Sequence, residues 1–290
     1  MQCALLPAVL LSLLLASCAS DPWVLQARAR EGGPGPGERE VARTLRWDPE
    51  RTAVVVVDMW DDHWCAGAAA RVGELAEPVN AFLHAARSRG ALILHAPSSV
   101  THAYAHTPQR ALARAAPYAA APRPLSTDER WGTNWCWPDE EREGALPIDD
   151  SDMGCDCEPE CELREPWTRQ IDTIELVEGD ALTDDGQETW NLFAQRDIQH
   201  VLILGVHLNM CVLGRPFGIR QLVGLGLDVA LVRDLTDSMY DSRMRPHVSH
   251  HAGTALVVEH VERHWCPSVL SSELLGGAAF RFADAPATDS

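Results

Sequence analysis

Two residue types that cooperate in acyl-transfer chemistry stand at corresponding places in this sequence. Asp58 directly follows the apolar run AVVVV, and Cys211 directly follows LILGVHLNM. A thiol attacks a carbonyl carbon as its thiolate, and an ionised carboxylate within hydrogen-bond reach can take the proton. A thiol that opens a helix gains further, because the amide dipoles there favour its charged form. The same placement also suits a cysteine that only packs. In DMWDDHWC, Trp60, His63 and Trp64 follow the aspartate closely, and the two indoles can wall a pocket for a planar substrate or pack at its rim. His95, His102 and His106 in ILHAPSSVTHAYAH are pocket polar groups or, if a metal binds at all, its candidate ligands. No cofactor is expected.

The elements that must bring these residues together have a clear pattern. TAVVVVD (52–58) is a continuous β-branched run of the kind buried on both faces of a parallel sheet, and ALILH (91–95) repeats it. Leu75, Val79, Phe82, Leu83 and Ala86 fall at helical spacing between them, and Gly90 ends that helix, which makes a βαβ unit. IDTIELV (171–177), HVLILGV (200–206) and LDVALVRD (227–234) predict three more strands, with helices over 187–196 and 210–225. This alternation predicts a three-layer α/β fold around a mainly parallel sheet. Ligands in such sheets bind beyond the carboxyl ends of the strands, where both Asp58 and Cys211 would lie. Asp234, Thr236 and Asp237 after the last of these strands read as a turn and helix cap.

Residues 97–170 break the rhythm with a Cys/Trp-rich insertion containing WGTNWCWP and GCDCEPEC. A segment this long is read either as a disulfide-held lid or rim over the sheet's carboxyl edge or as a solvated decoration. The main folded domain is expected over 47–270, followed by a tail at 271–290.

The amino terminus reads as an address. Residues 4–17 are apolar and of signal-peptide length, and Leu15-Ala16-Ser17-Cys18 resembles the bacterial lipobox. That resemblance implies an exported protein, lipidated at Cys18 and touching the membrane only through that anchor, or else released to the periplasm or medium. Residues 19–46, with EGGPGPGERE at their centre, then read as a flexible tether. Export favours disulfides among Cys65, Cys136, Cys155, Cys157, Cys161, Cys211 and Cys266, six partners and one thiol left for chemistry. Cys155, Cys157 and Cys161 could instead ligate a metal together with Cys136. The net charge of -18 argues against a nucleic-acid partner. All 24 Lys+Arg residues are Arg, so no lysine can serve as proton donor or Schiff-base amine.

Read together, VVVVDMW and LILGVHLNMCVLGRPFGIRQLVGLGLDVALVRD, with their spacing, resemble the isochorismatase-like cysteine hydrolase superfamily over roughly residues 50–265. The resemblance implies Cys211 as nucleophile and Asp58 as its base, with a thioester intermediate. It also implies an oxyanion hole from the backbone amides of His207 and Cys211, beside a non-proline cis peptide at Val206-His207. Small amides, imides or carbamoyl compounds are the implied substrates, and homo-oligomers are common in the family. One position departs: where family catalysts carry a lysine, this chain has Glu178, Gly179 and Asp180. Either Arg169, Arg215 or Arg220 supplies the positive field, or the fold serves as a non-catalytic surface binding module. Vinyl-ether hydrolysis of the isochorismate type is a weaker third reading, since it does not need the cysteine.

Overall fold

The structure is a computed structural model, and it describes residues 21–285 except 33, 34 and 36. The lipobox and Cys18 lie outside the described residues. Among those described, no helix is long and apolar enough to cross a membrane.

The strands are β1 (Trp23–Glu31), β2 (Arg39–Trp47), β3 (Thr52–Val57), β4 (Leu92–Ala96), β5 (Glu129–Arg130), β6 (Thr133–Asn134), β7 (Ala181–Leu182), β8 (His200–Val206), β9 (Asp228–Asp237) and β10 (Ser268–Val269). The helices are α1 (Ala66–Ser88), α2 (Pro108–Ala115), α3 (Gly186–Gln195), α4 (Ile219–Gly224), α5 (His250–His264) and α6 (Ser272–Leu275). One eight-stranded sheet runs β2-β1-β10-β9-β8-β3-β4-β7. It is parallel from β10 to β7, while β1 pairs antiparallel with both β10 and β2.

Every residue of β3 is buried, because helices cover both faces of the sheet. Its side chains alternate: Val54 and Val56 pack with Leu75, Val79 and Phe82 of α1, whereas Val55 and Val57 face the layer holding Leu192, Ile219 and Val257. Each such aliphatic or aromatic side chain contributes roughly 1.5–3 kcal/mol by leaving water. Where β8 meets β3, Gly205 at φ 105° brings backbone against backbone, and a Cβ there would lie 2.1 Å from the Val57 carbonyl oxygen. Only glycine fits.

Four expectations are corrected. Residues 23–47 are not a tether but a β-hairpin, whose Trp23, Leu25, Ala27 and Ala29 alternate inward at period two while the glycine-rich stretch forms its loop. IDTIELV is not a strand. Of its seven residues only Ile174 is buried, and the sheet edge is instead supplied by Ala181 and Leu182, which pair with Leu94 and His95. The helix expected over 210–225 is broken into a wide helical turn at Leu208–Val212 and α4, with Pro216 between them, where proline has no amide to donate. Finally, residues 271–285 are not a loose tail, since α6 forms and Phe280 and Phe282 pack against the α1 layer.

Candidate active site

The sheet order places β3 and β8 side by side, so their carboxyl ends open at one place. There Asp58 and Cys211 come together, both almost fully buried and close enough for each to shift the other's protonation. Asp58 sits at φ 48°, a left-handed conformation that costs on the order of 1 kcal/mol and recurs at functional sites. Its Oδ1 accepts the Ser98 amide at 2.7 Å. Val206-His207 is a cis peptide, as the resemblance implied, and Cys211 stands in the wide turn that follows. Cys211 is a free thiol, as are the other six cysteines of the folded region.

A third side chain completes the group. Arg215, one turn after Cys211, is 2 % exposed, with its amide on the Cys211 carbonyl and its Nε 3.5 Å from Asp58 Oδ2. Its Nη1 is held by Thr133 Oγ1 and by the carbonyls of Arg130 and Trp131. Of the three arginines that could replace the family lysine, this is the one at the site. Arg169 is exposed and pairs with Asp61 and Asp172, and Arg220 is bound to Glu143 elsewhere.

Burial pushes the Asp58 carboxyl above its ordinary range, against the opposing pull of Arg215 and Ser98. Burial likewise pushes the Cys211 thiol up to about 12, again opposed by Arg215. The resting sulfur is therefore protonated at neutral pH. Moving its proton to Asp58 leaves the net charge of the trio unchanged, and Arg215 acts electrostatically on the anion in either position. Asp58 Oδ2, Arg215 Nε and His207 Nε2 are buried without hydrogen-bond partners, an unusual concentration in a folded core.

Above the trio lies a cavity of about 300 Å³, lined by Trp60, His63, Trp64, Trp131, Trp167 and Met210 among others. Trp60 and Trp167 stack at 4.6 Å between ring centroids, and Trp60 Nε1 donates to the Ser98 carbonyl. His63 packs edge-on against His207 at 4.9 Å. Burial lowers His63 to about 4 and holds His207 well below its usual range, so both rings are neutral at pH 7. The insertion 97–170 supplies Trp131, Met153, Leu163 and Trp167 to this cavity, so it is a rim and not a decoration.

Other predicted site residues stand elsewhere. His95 is buried but does not line the cavity, its two ring nitrogens being bonded to Gln170 and Asp180. His102 and His106 are exposed, and these three histidines do not converge on a metal among the described residues. Glu178 is exposed and outside the cavity, while Asp180 pairs with Arg87 at 2.8 Å. The reversed charge at the family lysine position therefore does not face the sulfur. Cys136 lies against Gln221, away from Cys155, Cys157 and Cys161, whose neighbour is Cys65. Asp237 is no cap: it ends β9 fully buried and binds Arg71 at 2.7 Å and His250 at 2.8 Å. Trp131 and Trp167 were not legible as pocket residues, because nothing periodic in the insertion says which way its indoles point.

No protein-family model and no curated protein matches the sequence. Solved structures do. A cysteine hydrolase from Pseudomonas syringae pv. phaseolicola 1448A is 15% identical, with 80% of this chain and 94% of that chain covered and a TM-score of 0.47. An isochorismatase from Pseudomonas putida KT2440 is 11% identical over 78% of this chain and 91% of that chain, with a TM-score of 0.45. A ribonuclease from Caenorhabditis elegans is 11% identical over 83% and 98%, with a TM-score of 0.39. Likeness at this level concerns architecture, and one architecture hosts many reactions. The chain is an α/β protein with a large, mostly parallel central sheet, similar in that architecture to cysteine hydrolase and isochorismatase structures.

Proposed function

We propose that this chain is an exported cysteine hydrolase that cleaves a carbon-nitrogen bond in a small amide-like substrate. The observation that carries the reading is the grouping of buried Asp58, Cys211 and Arg215, the last two of which line an aromatic cavity. Asp58 takes the thiol proton as the sulfur attacks the carbonyl carbon, and the oxyanion forms beside the backbone amides of His207 and Cys211. Each such donor typically stabilises an oxyanion by about 3 kcal/mol. Collapse breaks the carbon-nitrogen bond, Asp58 returns its proton to the leaving amine, and a thioester remains on Cys211. Water, deprotonated by Asp58, hydrolyses that thioester and regenerates the thiol. Arg215 cannot donate a proton, so its part is to balance charge while the anion moves between oxygen and sulfur. The indole walls favour a planar substrate small enough for about 300 Å³.

Iodoacetamide labelling tests the base. If Asp58 deprotonates Cys211 during attack, the wild-type rate is nearly flat across neutral pH and falls at least tenfold in Asp58→Asn. A rate that climbs tenfold per pH unit and ignores Asp58→Asn sinks the mechanism. Incubation with a panel of small amides, imides and carbamoyl compounds, followed by intact mass, then looks for an acyl adduct that Cys211→Ser lacks.

The second reading is a surface binding module, favoured by a thiol held protonated up to about 12 and by the absence of any lysine. It predicts that ligands of the same size bind but are recovered unchanged. The exported, lipid-anchored state rests on the apolar leader and on Cys18, and palmitate labelling that is lost in Cys18→Ser tests it.

A further inference from the structure

Away from the active site, four cysteines converge on the first turn of α1. Cys65 caps that helix, and Cys155, Cys157 and Cys161 arrive on the insertion. The sulfurs of Cys65, Cys155 and Cys157 all lie within 4.8 Å of one another, and Cys65 to Cys157 measures 3.8 Å. A disulfide would bring two sulfurs to about 2.05 Å. Four thiolates around a tetrahedral zinc at about 2.3 Å stand about 3.8 Å apart along each edge. Cys161 stands at the rim of the same group, its Sγ on the Ala66 amide next to the Gly67 amide that Cys157 Sγ accepts.

The surroundings suit anionic sulfur. Gly67 N donates to Cys157 Sγ at 3.3 Å and Ala66 N to Cys161 Sγ at 3.5 Å, so the free amides of the helix start are spent on sulfur acceptors. Gly67 also permits the approach of the loop, since a Cβ there would lie 2.6 Å from Asp156 Oδ1. Asp156 opposes an anionic sulfur, with its Oδ1 3.7 Å from Cys65 Sγ, and Arg71 offsets it through contacts at 2.7 and 3.4 Å.

We propose that Cys65, Cys155, Cys157 and Cys161 form a structural zinc site that staples the insertion to α1. The site closes the loop immediately before Leu163, Arg164, Glu165 and Trp167, which line the active-site cavity, so the metal would fix the rim from one side. Binding exchanges thiol protons for the metal, with no change of oxidation state. The inference does not depend on the hydrolytic reading, because it rests on other residues.

The test uses the chain purified without chelator or added metal. The expected result is one zinc per chain by elemental analysis, with all four cysteines reduced by intact mass. Chelation under reducing conditions followed by cobalt should give the intense visible bands of a tetrahedral thiolate site. Cys157→Ser and Cys161→Ser should each lower zinc affinity at least tenfold, while Cys136→Ser leaves it unchanged. Isolation of these cysteines as disulfides overturns the proposal, and so does reduced wild-type chain that takes up cobalt without thiolate bands or not at all.

Discussion

Arg215→Gln is the substitution that separates a working trio from a coincidental one. At 3.5 Å and an effective dielectric of about 20, the attraction between Arg215 and Asp58 is about 5 kcal/mol, equivalent to roughly 3.5 pKa units on the carboxyl. Removing the cation leaves Asp58 buried with an uncompensated charge, which costs about 3–5 kcal/mol of stability or forces the carboxyl to take up a proton near neutrality. The expected Tm loss is on the order of 10 °C. A protonated Asp58 cannot act as base, so alkylation of Cys211 at pH 7 should fall at least tenfold. Asp58→Asn combined with Arg215→Gln removes both charges and should recover most of the stability while reactivity stays lost. Calorimetry and iodoacetamide kinetics on the two variants check this. An Arg215→Gln variant with wild-type Tm and wild-type labelling would refute the coupling of these charges.

Other outcomes follow from the same geometry. Glu143, bound by His260, Arg220 and Trp265, has its pKa lowered to about 2 because those contacts overcome burial. A lowered carboxyl pKa stabilises the fold above the unfolded value and loses that contribution as pH falls toward 2, so acid unfolding monitored by circular dichroism should be flatter between about pH 4.5 and pH 2 in Glu143→Gln. Gly205→Ala forces a Cβ to 2.1 Å from the Val57 carbonyl at φ 105°, and denaturant unfolding should show a loss of about 3 kcal/mol or more. Trp167→Ala removes one member of the Trp60 stack. Steady-state kinetics on any substrate found should show KM raised roughly fivefold with kcat little changed, since a stacked pair contributes about 1 kcal/mol to binding and none to proton transfer.

Four of the parallel strands, β3, β4, β8 and β9, were legible in the residues, whereas β7 and β10, of two residues each, were not. Five consecutive apolar positions ending at Asp58, and the run ending before Cys211, have no other economical place than a sheet covered on both faces. Periodicity therefore determined the α/β class and put acid and thiol at one edge. It could not reveal the hairpin at 23–47, because its glycine-rich loop carries the same composition as a linker and only pairing with β10 distinguishes them. Nor could it choose among Arg169, Arg215 and Arg220, whose roles depend on which carboxylate each guanidinium reaches in space. The insertion is the extreme case. Its cysteines and tryptophans have no period, so their grouping with Cys65 and around the cavity is a property of long-range contact alone. Local pattern depends on neighbours in the chain and can be read from it, whereas charge pairing and sulfur clustering arise between segments some 90 to 160 residues apart and exist only once the chain has folded.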